Sequence, residues 1–139
     1  MALLVPNCGE IALLSRMLNK TAASNVSIGL YTENVTPGEA TVATDVDTLA
    51  PDTRGYDLQE LTGANWDVAE VGETGVIRAV YDSMINFVFT SDSTYLDVHG
   101  YKVLADDGTL LWAERFIDGP YRVPAGGGTI SITPRIELD

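Results

Sequence analysis

His99 is the only histidine of the 139 residues and Cys8 the only cysteine, so the first question is what chemistry they could serve. A serine hydrolase triad would have to be built on His99, and the chain contains no G-x-S-x-G elbow to present a nucleophile. In VHGYKV, His99 alternates with Tyr101 and Val103, the pattern of a satisfied strand residue. A zinc site needs three or four His, Cys or acidic ligands in fixed array; one His and one Cys far apart do not supply it. Cys8 is flanked by Asn7 and Gly9, which offer neither a base nor a second ligand, and it reads as a small residue at a helix start. Asp45, Asp47 and Asp52 lie close together but lack the spacing and terminal glutamate of an EF-hand, so they read as turn-forming carboxylates. Gly126-Gly127-Gly128 precedes a strand, not a helix, and so is a turn and no phosphate cradle. Asp97 and Glu114 would form a carboxylate pair of the glycosidase kind only if they faced each other across a hairpin. Glu114, Arg115 and Asp118 read instead as a rim ion-pair cluster of little value to stability. No cofactor and no metal is expected, and the chain is expected to be non-enzymatic.

The elements that carry these residues are mostly strands. Thirteen glycines and six prolines mark many turns. Residues 7–19 read as a short amphipathic helix, with Asn7 and Glu10 as a capping box and Ile11, Leu14 and Leu18 on the face that covers the sheet. Leu3, Leu4 and Val5 precede it as an extended arm. Val26, Ile28 and Leu30 alternate with polar or small residues over 25–32, a strand. Residues 33–57 form the least regular stretch, with a short edge strand conceivable at 41–46; so long a loop is often contact-forming. Residues 56–61 suggest one helical turn with Leu58 and Leu61 inward. Strands are expected at 66–69, 76–81 and 84–90, the last with Ile85, Phe87 and Phe89 on one face and Val88 on the other. Residues 96–105 and 110–116 make the most secure hairpin, turned at Asp106-Asp107-Gly108-Thr109. In its second strand Leu110, Trp112 and Phe116 share one face, and Leu111, Ala113 and Ile117 the other. A short extended piece follows at 121–123. One final strand, 129–138, places Ile130, Ile132, Ile136 and Leu138 inward and is at an edge or bulged at Pro134.

About eight short strands and a single N-terminal helix predict a mainly β protein: an antiparallel β-sandwich, with a jelly roll as one form of it. Length suits one domain, with residues 1–20 as arm and helix belonging to the same domain as the β-sandwich of 21–139. No internal repeat is visible. The formal charge of −12, from 20 acidic and 8 basic residues, argues against nucleic acid and anionic membranes as partners and leaves attraction to a basic protein surface open. With a single cysteine, no apolar run of membrane-spanning length and no signal-peptide pattern at the start, folding in a reducing cytoplasm is expected.

The segments LLVPNCGEIALL, LYTENVTP, GYDLQELTGANW and HGYKVLADDGTLLWAERFIDGPYRVPAGGGTISITPRIEL together resemble small structural proteins of tailed-phage virions, nearly end to end. Such proteins are similar to head decoration, or cement, proteins. The resemblance implies a virion protein, made in the host cytoplasm, that binds the major capsid protein or other virion proteins as a homo-oligomer. It carries over no catalytic residue. Candidate contacts are the arm, the helix and the long loop: Leu3, Leu4, Val5, Pro6, Ile11, Asn34, Val35, Pro37 and Val42. A tail, neck or fibre-attachment component would suit the same composition. A carbohydrate-binding adhesion module is a third reading, needing Trp66, Trp112 and tyrosines on an exposed platform.

Overall fold

The computed structural model describes residues 5–18 and 24–138. The chain is mainly β, an antiparallel sandwich with one α-helix, α1 (Asn7–Met17), at its start. One layer is a four-stranded sheet in the order β2-β1-β7-β8, made of β2 (Gln59–Leu61), β1 (Val26–Tyr31), β7 (Gly100–Leu104) and β8 (Leu110–Arg115). Against its inner face lie three smaller sheets. They are β10 (Gly128–Ile132) with β5 (Ile85–Phe89), β11 (Arg135–Leu138) with β4 (Ile77–Tyr81) and β3 (Trp66–Glu70), and β6 (Leu96–Val98) with β9 (Tyr121–Val123). Ile28, Leu30, Phe87, Phe89, Val98, Val103, Trp112 and Val123 form the main core between the layers. Trp66 packs edge-on against both Tyr81 and Trp112. Both tryptophans therefore belong to the interior and form no exposed stacking platform.

The four-stranded sheet is buried on its outer face as well. Tyr31, Val46, Leu110 and Ala113 make a second cluster there, with Cys8, Ala43 and Leu104 at its margin. Lys102 also points to this side, and its Nζ donates to the Val46 carbonyl at 2.5 Å. Burial holds its ammonium below the ordinary lysine pKa, against the attraction of Glu33 and Asp47. Covering this face requires close approach. A Cβ on Gly100 would strike the Glu114 carbonyl and the Tyr31 ring, and one on Gly29 would strike Leu58 and the Tyr56 hydroxyl.

Strand β1 is paired with β2 only from Val26 to Ile28. Beyond that point the Leu30 N–H donates to the Tyr56 hydroxyl at 2.9 Å. The Tyr56 ring meanwhile stacks on Phe89 at 6.0 Å and leans on Phe87 at 5.8 Å.

Several expectations are corrected. Residues 59–61 form strand β2 and no helical turn, because their backbone is taken up by β1. Residues 41–46 form no edge strand; Ala43–Val46 is a 3₁₀ turn in which the Val42 amide donates to Asp45 Oδ2. The long extended run 96–105 breaks at His99, so β6 pairs with β9 while β7 pairs with β8. The irregularity between Val103 and Leu104 puts Leu111 beside Trp112 in the main core and leaves Leu110 with Ala113 in the outer cluster. Ile117 is exposed, and β8 is an edge strand covered by α1. The final strand is split at Thr133-Pro134, where β10 leaves β5 and β11 joins β4. The Tyr81 N–H still donates to the Pro134 carbonyl, and Ile85 pairs with Ile132, so residues 82–84 round a corner that their partner turns with Thr133 alone.

Burial pushes the phenols of Tyr31 and Tyr56 up to about 12. A raised pKa favours the neutral phenol in the folded state. The stabilisation is complete below the unfolded value of about 10 and is lost as pH rises toward the folded one. Thermal unfolding should therefore be flat through neutral pH, with the midpoint falling steeply between pH 10 and 12. Tyr56→Phe should cost about 1–3 kcal/mol in denaturant unfolding, because it strands a buried amide, and should make the alkaline decline shallower.

Candidate functional site

Helix α1 begins after Pro6, whose extended backbone serves as N-cap. The capping box of Asn7 and Glu10 does not form: the Asn7 N–H donates to the Glu39 carbonyl, and the Glu10 N–H to that of Pro6. The helix is also rotated relative to expectation. Its packed side carries small residues, with Gly9 buried and Cys8, Ala12 and Ser15 half-buried. Gly9 sits where a Cβ would collide with the Leu111 carbonyl. The Cys8 thiol lies 3.4 Å from the Leu110 carbonyl and 3.5 Å from that of Thr41. The helix backbone thus lies against β8.

The large apolar side chains point away. Ile11, Leu14, Met17 and Leu18 are 68%, 55%, 72% and 73% exposed. Leu13, Leu14 and Met17 line a shallow depression with Val5 and Glu10. Isolated exposed apolar residues are ordinary, but several contiguous ones on one helix mark an interaction surface. Glu10 is the carboxylate at its margin. Arg16 Nη2 meets Asp106 Oδ1 at 3.1 Å. A hydrogen bond from Ser24, then Arg16, hold the Asp106 carboxyl below its usual pKa, and the Thr109 amide does the same for Asp107. Asp106 is thus ionised and paired with Arg16 of the helix, and Asp107 is held within its own turn.

Of the expected contact residues, Leu3 and Leu4 lie outside the described residues. Pro6 is buried and Val5 packs against the main core, so these two hold the helix in place; truncation through Pro6 would remove packing as well as surface. Ile11 is exposed as a contact residue must be. Val42 and Val35 are exposed, and Pro37 half-buried. Val42 follows Thr41 and Glu39, which touch the helix start, so it borders the helix surface. Asn34 is drawn elsewhere, accepting from Arg115 Nη2 at 2.6 Å.

The constellations considered for chemistry do not assemble. The His99 backbone joins Tyr31 and Phe116, and its Nδ1 lies 3.5 Å from Arg115 Nη2. Asp97 forms a bidentate pair with Arg122 at 2.8 and 2.9 Å, which holds its carboxyl below the usual pKa. Glu114 accepts from the Tyr101 hydroxyl at 2.9 Å. Asp97 and Glu114 are not opposed, because β6 pairs with β9 and not with β8. Arg115 faces Asn34 and His99, so the expected cluster with Glu114 and Asp118 does not form. Among the described residues, no group of three or more His, Cys, Asp or Glu is placed to hold a metal ion.

Ile11, Leu14 and Leu18, expected on the side that covers the sheet, point outward together with Met17, because apolar bulk alone does not define the buried face. The contrary signal was present in the spacing of Cys8, Gly9, Ala12 and Ser15, a strip of small residues suited to close packing on a sheet. The fold and this surface define the class: a small antiparallel β-sandwich carrying an apolar helix on its outside. No protein-family model matches the chain, and no curated protein matches it.

The two sides of α1 should respond differently to substitution. Leu14→Gln and Met17→Gln should each change unfolding free energy by less than about 0.5 kcal/mol. Gly9→Ala should cost about 1–3 kcal/mol, through overpacking against β8. Chemical denaturation of the three variants measures the contrast.

Proposed function

We propose that this protein is a non-enzymatic structural component of a tailed-phage virion, a decoration protein that seats α1 on the head lattice and stabilises it. The observation that carries the reading is the outward apolar side of α1, held on the β scaffold with Glu10 at its margin. A surface of that kind suits a protein partner offering an apolar seat with basic groups at its margin. Burial of one helix side is a modest contact for a single copy. Repetition over a lattice, with copies tied to one another, raises occupancy through effective concentration. The resemblance of the sequence to small virion proteins supplies the identity of the lattice, and the −12 charge is consistent with a basic partner surface.

A reconstruction of the particle that carries this chain tests the proposal. Density for the sandwich is expected on the icosahedral head, with α1 toward the shell. Density confined to tail or neck would refute head decoration and favour the tail or neck alternative. Leu14→Glu with Met17→Glu should lower head occupancy at least tenfold, measured by co-sedimentation with particles, while leaving the unfolding midpoint near that of the unaltered protein. Occupancy unchanged by the double substitution would remove α1 as the seat.

A further inference from the structure

The sheet β11-β4-β3 ends on an open strand. Its register shows which backbone groups are free. The Val71 N–H donates to the Val76 carbonyl, and the Asp82 N–H to the Asn65 carbonyl. In an antiparallel pair, bonded positions alternate. Residues 65, 67, 69 and 71 therefore direct their backbone groups toward β4, and Trp66, Val68 and Glu70 direct theirs outward. The Trp66 N–H is taken by the Gly63 carbonyl. Among the described residues, β3 has no strand on its outer side.

Open edges are normally blunted by Pro, by charged side chains, Lys above all, by bulges or by a covering element. The edge of β8 is covered by α1. In β3 the sequence WDVAE contains neither Pro nor Lys, its charges are the carboxylates of Asp67 and Glu70, and its pairing with β4 runs without interruption from Trp66 to Glu70. The side of this sheet continuous with the core is also left partly uncovered. Trp66 and Tyr81 are packed inside, but Val68 is 63% exposed and Ile77 43%. Val68, Ala79 and Ile136 stand in one row across the three strands.

We infer that β3 is a self-association edge, pairing antiparallel with β3 of a second copy about a twofold axis through Val68. That centre sets Val68 against Val68, Asp67 against Ala69, and Trp66 against Glu70, so no carboxylate faces another. The free groups match. Each Val68 N–H meets the opposing Val68 carbonyl, and each Glu70 N–H meets the opposing Trp66 carbonyl, giving four ladder bonds. On the core-continuous side the row Ile136, Ala79, Val68 runs on into its twofold-related copy across six strands. A second copy thereby satisfies both the edge and the uncovered apolar row. Both partners carry −12, so association strengthens as salt screens their repulsion.

The inference uses a different surface from α1 and does not rest on head decoration, so either can fail alone. Sedimentation velocity over a concentration series should show a monomer–dimer equilibrium that shifts toward dimer with added salt. Val68→Pro removes only an outward N–H, a change an edge strand tolerates. It should weaken the dimer by about tenfold or more, through lost ladder bonds, while unfolding stays near that of the unaltered chain. Ala69→Pro, which strikes the bonds to β4, should destabilise the fold and serves as the contrast. In a Cys8→Ser background, Val68→Cys should form a covalent dimer under mild oxidation, because directly opposed bonded residues lie about 5.5 Å apart at Cα. A chain that stays monomeric at every concentration and salt would overturn the inference. So would a dimer indifferent to Val68→Pro that does not cross-link through Val68→Cys.

Discussion

The arrangement depends most on the phenol of Tyr56. Strand β1 is central to its sheet and pairs with β7 as far as Tyr31, yet on its other side its second half has no strand once β2 ends. Tyr56 fills that place with a side chain. Its hydroxyl takes the amide of Leu30, and its ring spans to Phe87 and Phe89 on the opposing layer. One residue thus replaces a missing ladder bond and joins the two layers. It also fixes residues 33–57, which would otherwise be a long excursion with few backbone partners. Arg54 adds to this by donating to the carbonyls of Thr90, Thr94 and Pro124, fastening the same segment to two neighbouring turns.

Covering the four-stranded sheet on both faces has a cost in polar burial that the sequence meets locally. Lys102 brings a charged group beneath the 3₁₀ turn at Ala43–Val46, where it finds the Val46 carbonyl. Tyr101 reaches Glu114 and Tyr31 reaches the Val35 carbonyl, so buried hydroxyls end on acceptors. Glycines at 29 and 100 let the Tyr56 and Tyr31 side chains approach the strands. The apolar side of α1 is outside this economy: its small residues do the packing, and its large ones are left for contact.

Much of the architecture was legible from period-two patterns. The alternation of Ile85, Phe87 and Phe89 with Asn86 and Val88 gave both the strand and its buried side, and Gly108, at φ 86°, closes the hairpin as its sequence indicates. What local pattern could not supply was partnership. Nothing within residues 96–105 distinguishes a continuous strand from two that pair with different neighbours. Nothing in 56–61 reveals that β1 will claim Gln59–Leu61. The helix was misread for a related reason. Apolar periodicity locates a stripe but does not say whether bulk or closeness of approach decides which side meets the sheet. Here Gly9 against the Leu111 carbonyl decides it.

The corner between β4 and β5 imposes a rule of parity. Three residues round it on one strand while one suffices on the other, an even excess that keeps Phe87 and Phe89 facing the core. Loss of one residue from 82–84 would make the excess odd. Strand β5 would then have to turn Asn86 and Val88 inward or slide against β10. A change of two residues in the corner therefore preserves the facing of β5, whereas a change of one has to be absorbed by a bulge or a slide, a restriction that no single contact in the interior would disclose.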